Sequence, residues 1–145
     1  MGRARFGQES FQNVSEHRIR LRGPWEAIDL DSPSGEPFRL ALPFERLPDG
    51  APRRLRLIRK FGRPRMAEDR DSGASLTLAL EDVDGLTALF LNDEPLTWRR
   101  AASGGLIVEL PPLRERNALR LDVDLAPAVP GGLTLWGSVA IVIPE

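Results

Sequence analysis

The chain has 145 residues, no cysteine, one histidine and a formal net charge of -1. Disulfides and thiolate metal sites are excluded, a multi-histidine metal centre cannot be built, and near-neutrality argues against global attraction to nucleic acid or anionic lipid. A single domain of this size buries roughly 70% of the surface its unfolded chain exposes, so a core is available without covalent staples.

Residues 1–16 mix glycine, glutamine, serine and charge, with Phe6, Phe11 and Val14 as isolated apolar positions; the expectation is a flexible N-terminal arm followed by one domain over 17–145. The first residues lead into polar sequence rather than a signal-peptide core, and no apolar run approaches the roughly 20 residues that span a bilayer. A soluble, cytoplasmic protein away from membranes is expected.

From His17 onward, apolar residues recur at every second position. The sets are Ile19 and Leu21; Phe38, Leu40 and Leu42; Leu55 and Leu57; Leu76, Leu78 and Leu80; Leu106, Val108 and Leu110; Leu119, Leu121, Val123 and Leu125; and Val139, Ile141 and Ile143. Period two places one face of a strand inward. Between the sets lie Ser32-Pro33-Ser34-Gly35, Pro48-Asp49-Gly50, Asp84-Gly85, Asn92-Asp93, Ser103-Gly104-Gly105 and Pro130-Gly131-Gly132, whose residues tolerate turn geometries. No window sustains a long helical stripe, although Leu113 to Asn117 is compatible with one helical turn. Each strand can bury only one face and needs an opposing layer. The predicted fold is therefore all-β, a two-sheet antiparallel β-sandwich of jelly-roll type.

The run Leu80-Glu81-Asp82-Val83-Asp84-Gly85, followed by Leu89-Phe90-Leu91-Asn92-Asp93 and Leu96, resembles the amino-terminal sugar-binding domain of the β-galactosidase and β-glucuronidase family of glycoside hydrolases. Aspartates stand at 82 and 93 where that pattern has glycine. Gly104-Gly105 before Val108-Glu109-Leu110, and Asn117-Ala118-Leu119-Arg120-Leu121, continue the likeness, with Leu110-Pro111-Pro112 replacing an Asp-Ile-Thr triplet. Gly23-Pro24-Trp25-Glu26, Arg59-Lys60-Phe61-Gly62-Arg63-Pro64 and Leu135-Trp136-Gly137-Ser138-Val139 are similar to further elements in the same order, so the resemblance runs from about Arg22 to Ile143.

The resemblance implies a galactose-binding-like jelly roll that handles carbohydrate. It does not bring catalysis, because the family's acid and nucleophile sit in a separate barrel of about 250 residues, for which this chain has no room. The expectation is a non-catalytic carbohydrate-binding-like module without cofactor or metal, working as a homo-oligomer or beside a partner hydrolase subunit. The alternative is an interaction scaffold on the same sandwich that has lost sugar binding.

Sugars are held by stacking on aromatic rings while polar groups bond their hydroxyls. Asn92, Asp93, Glu94, Trp98, Arg99 and Arg100 form the best aromatic-plus-polar cluster in the sequence, though Trp98 also fits continuation of the Leu96 phase into the core. Trp25 reads as core. Trp136 falls out of phase with Leu135, Val139 and Ile141, so it faces outward as a ligand platform or interface anchor unless a bulge at Gly137 resets the register. The basic run Arg53 to Arg65 reads either as a polyanion contact or as a strand with its arginines turned to solvent, the second being favoured by the neutral total.

Overall fold

The computed structural model describes residues 16–32, 34–45, 53–64, 76–126 and 135–144. Except for Glu16, the expected N-terminal arm lies outside the described residues, as do the Pro48-Asp49-Gly50 and Pro130-Gly131-Gly132 turns.

Thirteen strands follow one another: β1 (Glu16–Arg20), β2 (Trp25–Asp29), β3 (Phe38–Leu40), β4 (Phe44–Glu45), β5 (Arg53–Gly62), β6 (Thr77–Glu81), β7 (Leu86–Leu91), β8 (Glu94–Pro95), β9 (Arg99–Arg100), β10 (Leu106–Glu109), β11 (Arg116–Leu125), β12 (Leu135–Trp136) and β13 (Ser138–Pro144). They build a five-stranded sheet ordered β9-β10-β6-β13-β1 and a six-stranded sheet ordered β3-β2-β5-β11-β7-β8, with a small ribbon of β12 and β4. Every pairing is antiparallel. The fold is an all-β sandwich, as the alternation predicts.

The core lies between the two large sheets. Leu55 and Leu57 of β5, Leu89 and Leu91 of β7, and Leu119, Leu121 and Val123 of β11 are buried from one side. Leu78 and Leu80 of β6, Leu106 and Val108 of β10, and Val139, Ile141 and Ile143 of β13 are buried from the other. Each such side chain contributes about 1.5–3 kcal/mol by leaving water, and the ten-residue register between β5 and β11 holds the larger sheet together.

Three expectations from the sequence fail, each for a local reason. Phe38 remains 38% exposed because β3 is the edge strand of its sheet, and the Arg53 guanidinium lies 5.8 Å from its ring. Leu113 to Asn117 forms no helical turn; the Asn117 side chain accepts from the Arg114 amide at 2.9 Å and donates to the Arg114 carbonyl at 2.9 Å, using the groups a helical turn would need. Trp136 does not face solvent but is fully buried, while Leu135 is 44% exposed. Gly137 causes this reversal. Its φ of +89°, readily reached only by glycine, turns the chain out of the β12 ribbon and into β13 with the register reset.

Candidate functional site

The turn between β6 and β7 forms one wall of a cleft. Asp82 adopts φ +57° and Gly85 φ +84°, and Val83 sinks into the core to anchor the bend. Three bonds from other parts of the chain fix its carbonyls. The Gly137 amide donates to the Asp82 carbonyl at 2.8 Å, the Trp136 indole Nε1 donates to the Asp84 carbonyl at 2.8 Å, and the Asp124 amide donates to the Gly85 carbonyl at 2.8 Å. A side chain at Gly85 would place its Cβ 2.2 Å from the Asp124 carbonyl oxygen, so this position admits only glycine without backbone movement. Trp136, also packed against Phe44 at 5.6 Å between ring centroids, is thus a support for the turn rather than a platform for a ligand.

The opposite wall comes from the segment after the β7–β8 hairpin. Asn92 and Asp93 take φ of +52° and +71°, forming the two-residue turn of that hairpin. Phe90 then pairs with Pro95, and the Leu96 amide donates to the Leu89 carbonyl at 2.8 Å. Two residues farther on, the chain has returned to the start of β7. Trp98 therefore comes to the Asp84-Gly85 turn, half-buried, with its body packed against the core. Arg100 joins it, held by a 3.0 Å bond from Nη1 to the Gly104 carbonyl within the tight loop Ala101 to Gly105.

Between these walls is a cleft of about 300 Å³ whose lining includes Trp98, Arg100, Asp82, Asp84 and Gly104. It lies at the small end of ligand-pocket volumes and suits a single ring better than a chain. An aromatic body, a guanidinium and two exposed aspartates offer the mixture of stacking surface, donors and acceptors that a polyhydroxylated ring requires. Among the described residues, no group of three or more His, Cys, Asp or Glu side chains could hold a metal ion.

The remaining residues of the sequence-predicted cluster are elsewhere. Asn92 sits at the far end of β7, where its side chain donates to Asn117 Oδ1 at 3.1 Å and accepts from the Ala118 amide at 2.8 Å. Its hydrogen-bonding groups are used in holding the hairpin to β11. Asp93 and Glu94 are exposed at that hairpin, and Arg99 pairs with Glu109 at 3.6 Å in solvent. Asp82 and Asp84 were legible as turn residues but not as a cleft wall. Counting equal arms outward from the Asn92-Asp93 turn would have placed Trp98 beside them.

The sequence matches no protein-family profile and no curated protein. Solved structures are more informative. In fold, the chain is similar to a portion of β-glucuronidases. An uncultured Clostridium sp. β-glucuronidase superposes with a TM-score of 0.64 at 13% identity, covering 90% of this chain and 29% of that one. The Ruminococcus gnavus enzyme in complex with D-glucuronic acid gives 0.63 at 12% identity, covering 92% and 30%. An FMN-binding β-glucuronidase from Facaelibacterium prausnitzii L2-6 gives 0.62 at 14% identity, covering 90% and 23%. The chain thus spans less than a third of the length of these enzymes, and the greater part of each has no counterpart in it.

Proposed function

We propose that this chain is a non-catalytic carbohydrate-binding-like module, a sugar-binding jelly roll of the galactose-binding kind, and that the Trp98 cleft receives a sugar ring. The observation that carries the reading is the cleft itself, where Trp98 and Arg100 face Asp82 and Asp84 across a turn whose carbonyls are fixed from three directions. A rigid wall lowers the entropy lost on binding a small ligand. The likeness to a portion of glycoside hydrolases supports the substrate class, and the short coverage supports a role without its own hydrolytic centre.

Isothermal titration against a panel of monosaccharides and glycosides tests this. Binding in the micromolar to millimolar range that falls about tenfold or more in Trp98→Ala is expected, since one stacked ring and its oriented bonds supply most of the affinity of so small a site. No heat with any sugar at millimolar concentration would overturn it.

A second reading, an interaction scaffold that no longer binds sugar, is favoured by the roles of Asn92 and Trp136. Two residues with sugar-binding chemistry serve here to hold the fold. Sedimentation equilibrium separates the readings: a self-associating protein without sugar affinity supports the scaffold, and a sugar-binding monomer removes it.

A further inference from the structure

The outer face of the six-stranded sheet carries a charge pattern that the Trp98 cleft does not use. Alternation along β5 and β11 turns Arg56, Ile58 and Lys60, together with Arg116, Ala118, Arg120 and Asp122, away from the core. Register sets them side by side, Arg56 opposite Asp122, Ile58 opposite Arg120 and Lys60 opposite Ala118. One row crosses every strand of the sheet: Arg39, Glu26, Ile58, Arg120, Phe90 and Pro95. At the usual spacing of about 4.8 Å, six strands make this row roughly 24 Å long.

On this stretch the cations Arg39, Arg56, Lys60, Arg116 and Arg120 face only Glu26 and Asp122, in a chain whose formal net charge is -1. Asp122 is bridged by both Arg56 and Arg120 at 3.0 Å. Arg39, Lys60 and Arg116 make no ion pair with a described carboxylate. Two shallow depressions, of about 420 and 580 Å³, meet at Lys60; one extends to Arg39 and Phe38, the other to Arg116. Their common border makes a long, open trough. Its unpaired cations are spread along its length.

We infer that this trough binds a linear acidic polysaccharide, a uronate polymer whose carboxylates meet Arg39, Lys60 and Arg116. Charge complementarity selects an anion, and an open trough selects a chain over a compact ligand. Nucleic acid fits the face less well. Single strands are gripped by successive open aromatic faces, whereas Arg120 already covers the Phe90 ring at 4.2 Å and Phe61 is packed against the core. Phe38, at one end of the trough, offers a single partly exposed ring. Duplex binding typically uses about 6–10 phosphate contacts, more than three unpaired cations provide. The trough is also separate from the Trp98 cleft: Arg116 opens β11, whereas Asp124, which bonds the Gly85 carbonyl of the cleft turn, lies near its close.

Affinity electrophoresis of the full chain through gels containing polygalacturonate or dextran, with a single-stranded oligonucleotide measured by fluorescence anisotropy, tests the inference. Retardation by polygalacturonate but not dextran, weakening as salt rises, is expected. The double variant Lys60→Glu/Arg116→Glu should lose affinity about tenfold at low salt, the milder Lys60→Gln/Arg116→Gln should fall between, and Trp98→Ala should leave polygalacturonate binding unchanged. Far-UV circular dichroism checks that each variant keeps its strands. No retardation, equal retardation by dextran, indifference to charge reversal, or tighter binding of the oligonucleotide would each overturn it. Because Trp98→Ala reads the cleft and the charge variants read the trough, loss of one binding mode does not stand in for loss of the other.

Discussion

The two ends of β7 use similar residue types for opposite purposes. At the end near Ala118, Asn92 and Asn117 satisfy each other and the backbone: Asn117 is 3% exposed, the one buried polar side chain among the described residues, and its amide also bonds both the amide and the carbonyl of Arg114. At the other end, Trp98, Arg100, Asp82 and Asp84 border open space. A buried polar group must find partners inside the protein, so the Asn92–Asn117 end is closed chemistry. Groups lining a cleft keep capacity for a ligand. Residue type alone does not distinguish a structural clamp from a site; the fate of each hydrogen-bonding atom does.

The largest stability effect should come from the support beneath the open end. Trp136→Ala removes a fully buried indole, its packing on Phe44 and the bond to the Asp84 carbonyl, and should cost about 3–5 kcal/mol in urea denaturation. Trp136→Phe should retain most of that stability yet weaken sugar binding, since only the bond that fixes the turn is lost. If Trp136→Phe binds sugar as well as the parent, the turn is not held by that indole. At the closed end, Asn117→Ala strands the Arg114 amide and the Asn92 amide and should cost about 2–3 kcal/mol. A double-mutant cycle with Asn92→Ala should return strong coupling between the two, and independence would dissolve the clamp.

Much of the architecture could be read from alternation, because a residue between two layers has only two directions to point. Leu78 and Leu80, Leu119 and Leu121, and Ile141 and Ile143 fall inside as their phase requires. Phase carries no information about where a sheet ends or where a glycine turns the chain, so Phe38 and Leu135 were expected inside and Trp136 outside. In the candidate site, Trp98 and Arg100 were visible as an aromatic beside a cation. Asn92 was visible too, but its partner Asn117 is 25 residues away, and only the pairing of β7 with β11 brings them together.

Between the two ends lies a control that belongs to neither. Asp122, midway along β11, is partly buried, which pushes its carboxyl upward, but hydrogen bonds from Arg56 and Arg120 outweigh burial and hold it below the ordinary value of 3.8. A depressed folded-state value means that its stabilising contribution is present above the ordinary aspartate range and is lost as pH falls through the folded-state value. Asp122→Asn should therefore cost about 1 kcal/mol at neutral pH and flatten the acid limb of a urea-midpoint profile taken from about pH 6 down to pH 3. An unchanged acid limb would show that the two arginines do not stabilise the charged form.

The smallest stability effect should fall on the open end itself, and it is the sharpest test of the contrast. Arg100 is exposed, and its one hydrogen bond within the fold goes to a carbonyl in a surface loop. Arg100→Ala should change the urea midpoint by no more than about 0.5 kcal/mol equivalent, as surface substitutions usually do. Sugar affinity should nevertheless fall several-fold, because the guanidinium is the only cation bordering the cleft. Stability and affinity thus separate at this residue, whereas at Asn117 a loss of affinity can come only through a loss of fold. If Arg100→Ala instead destabilises the protein as much as Asn117→Ala does, the guanidinium is part of a second structural clamp and the cleft is no more open than the far end of the strand.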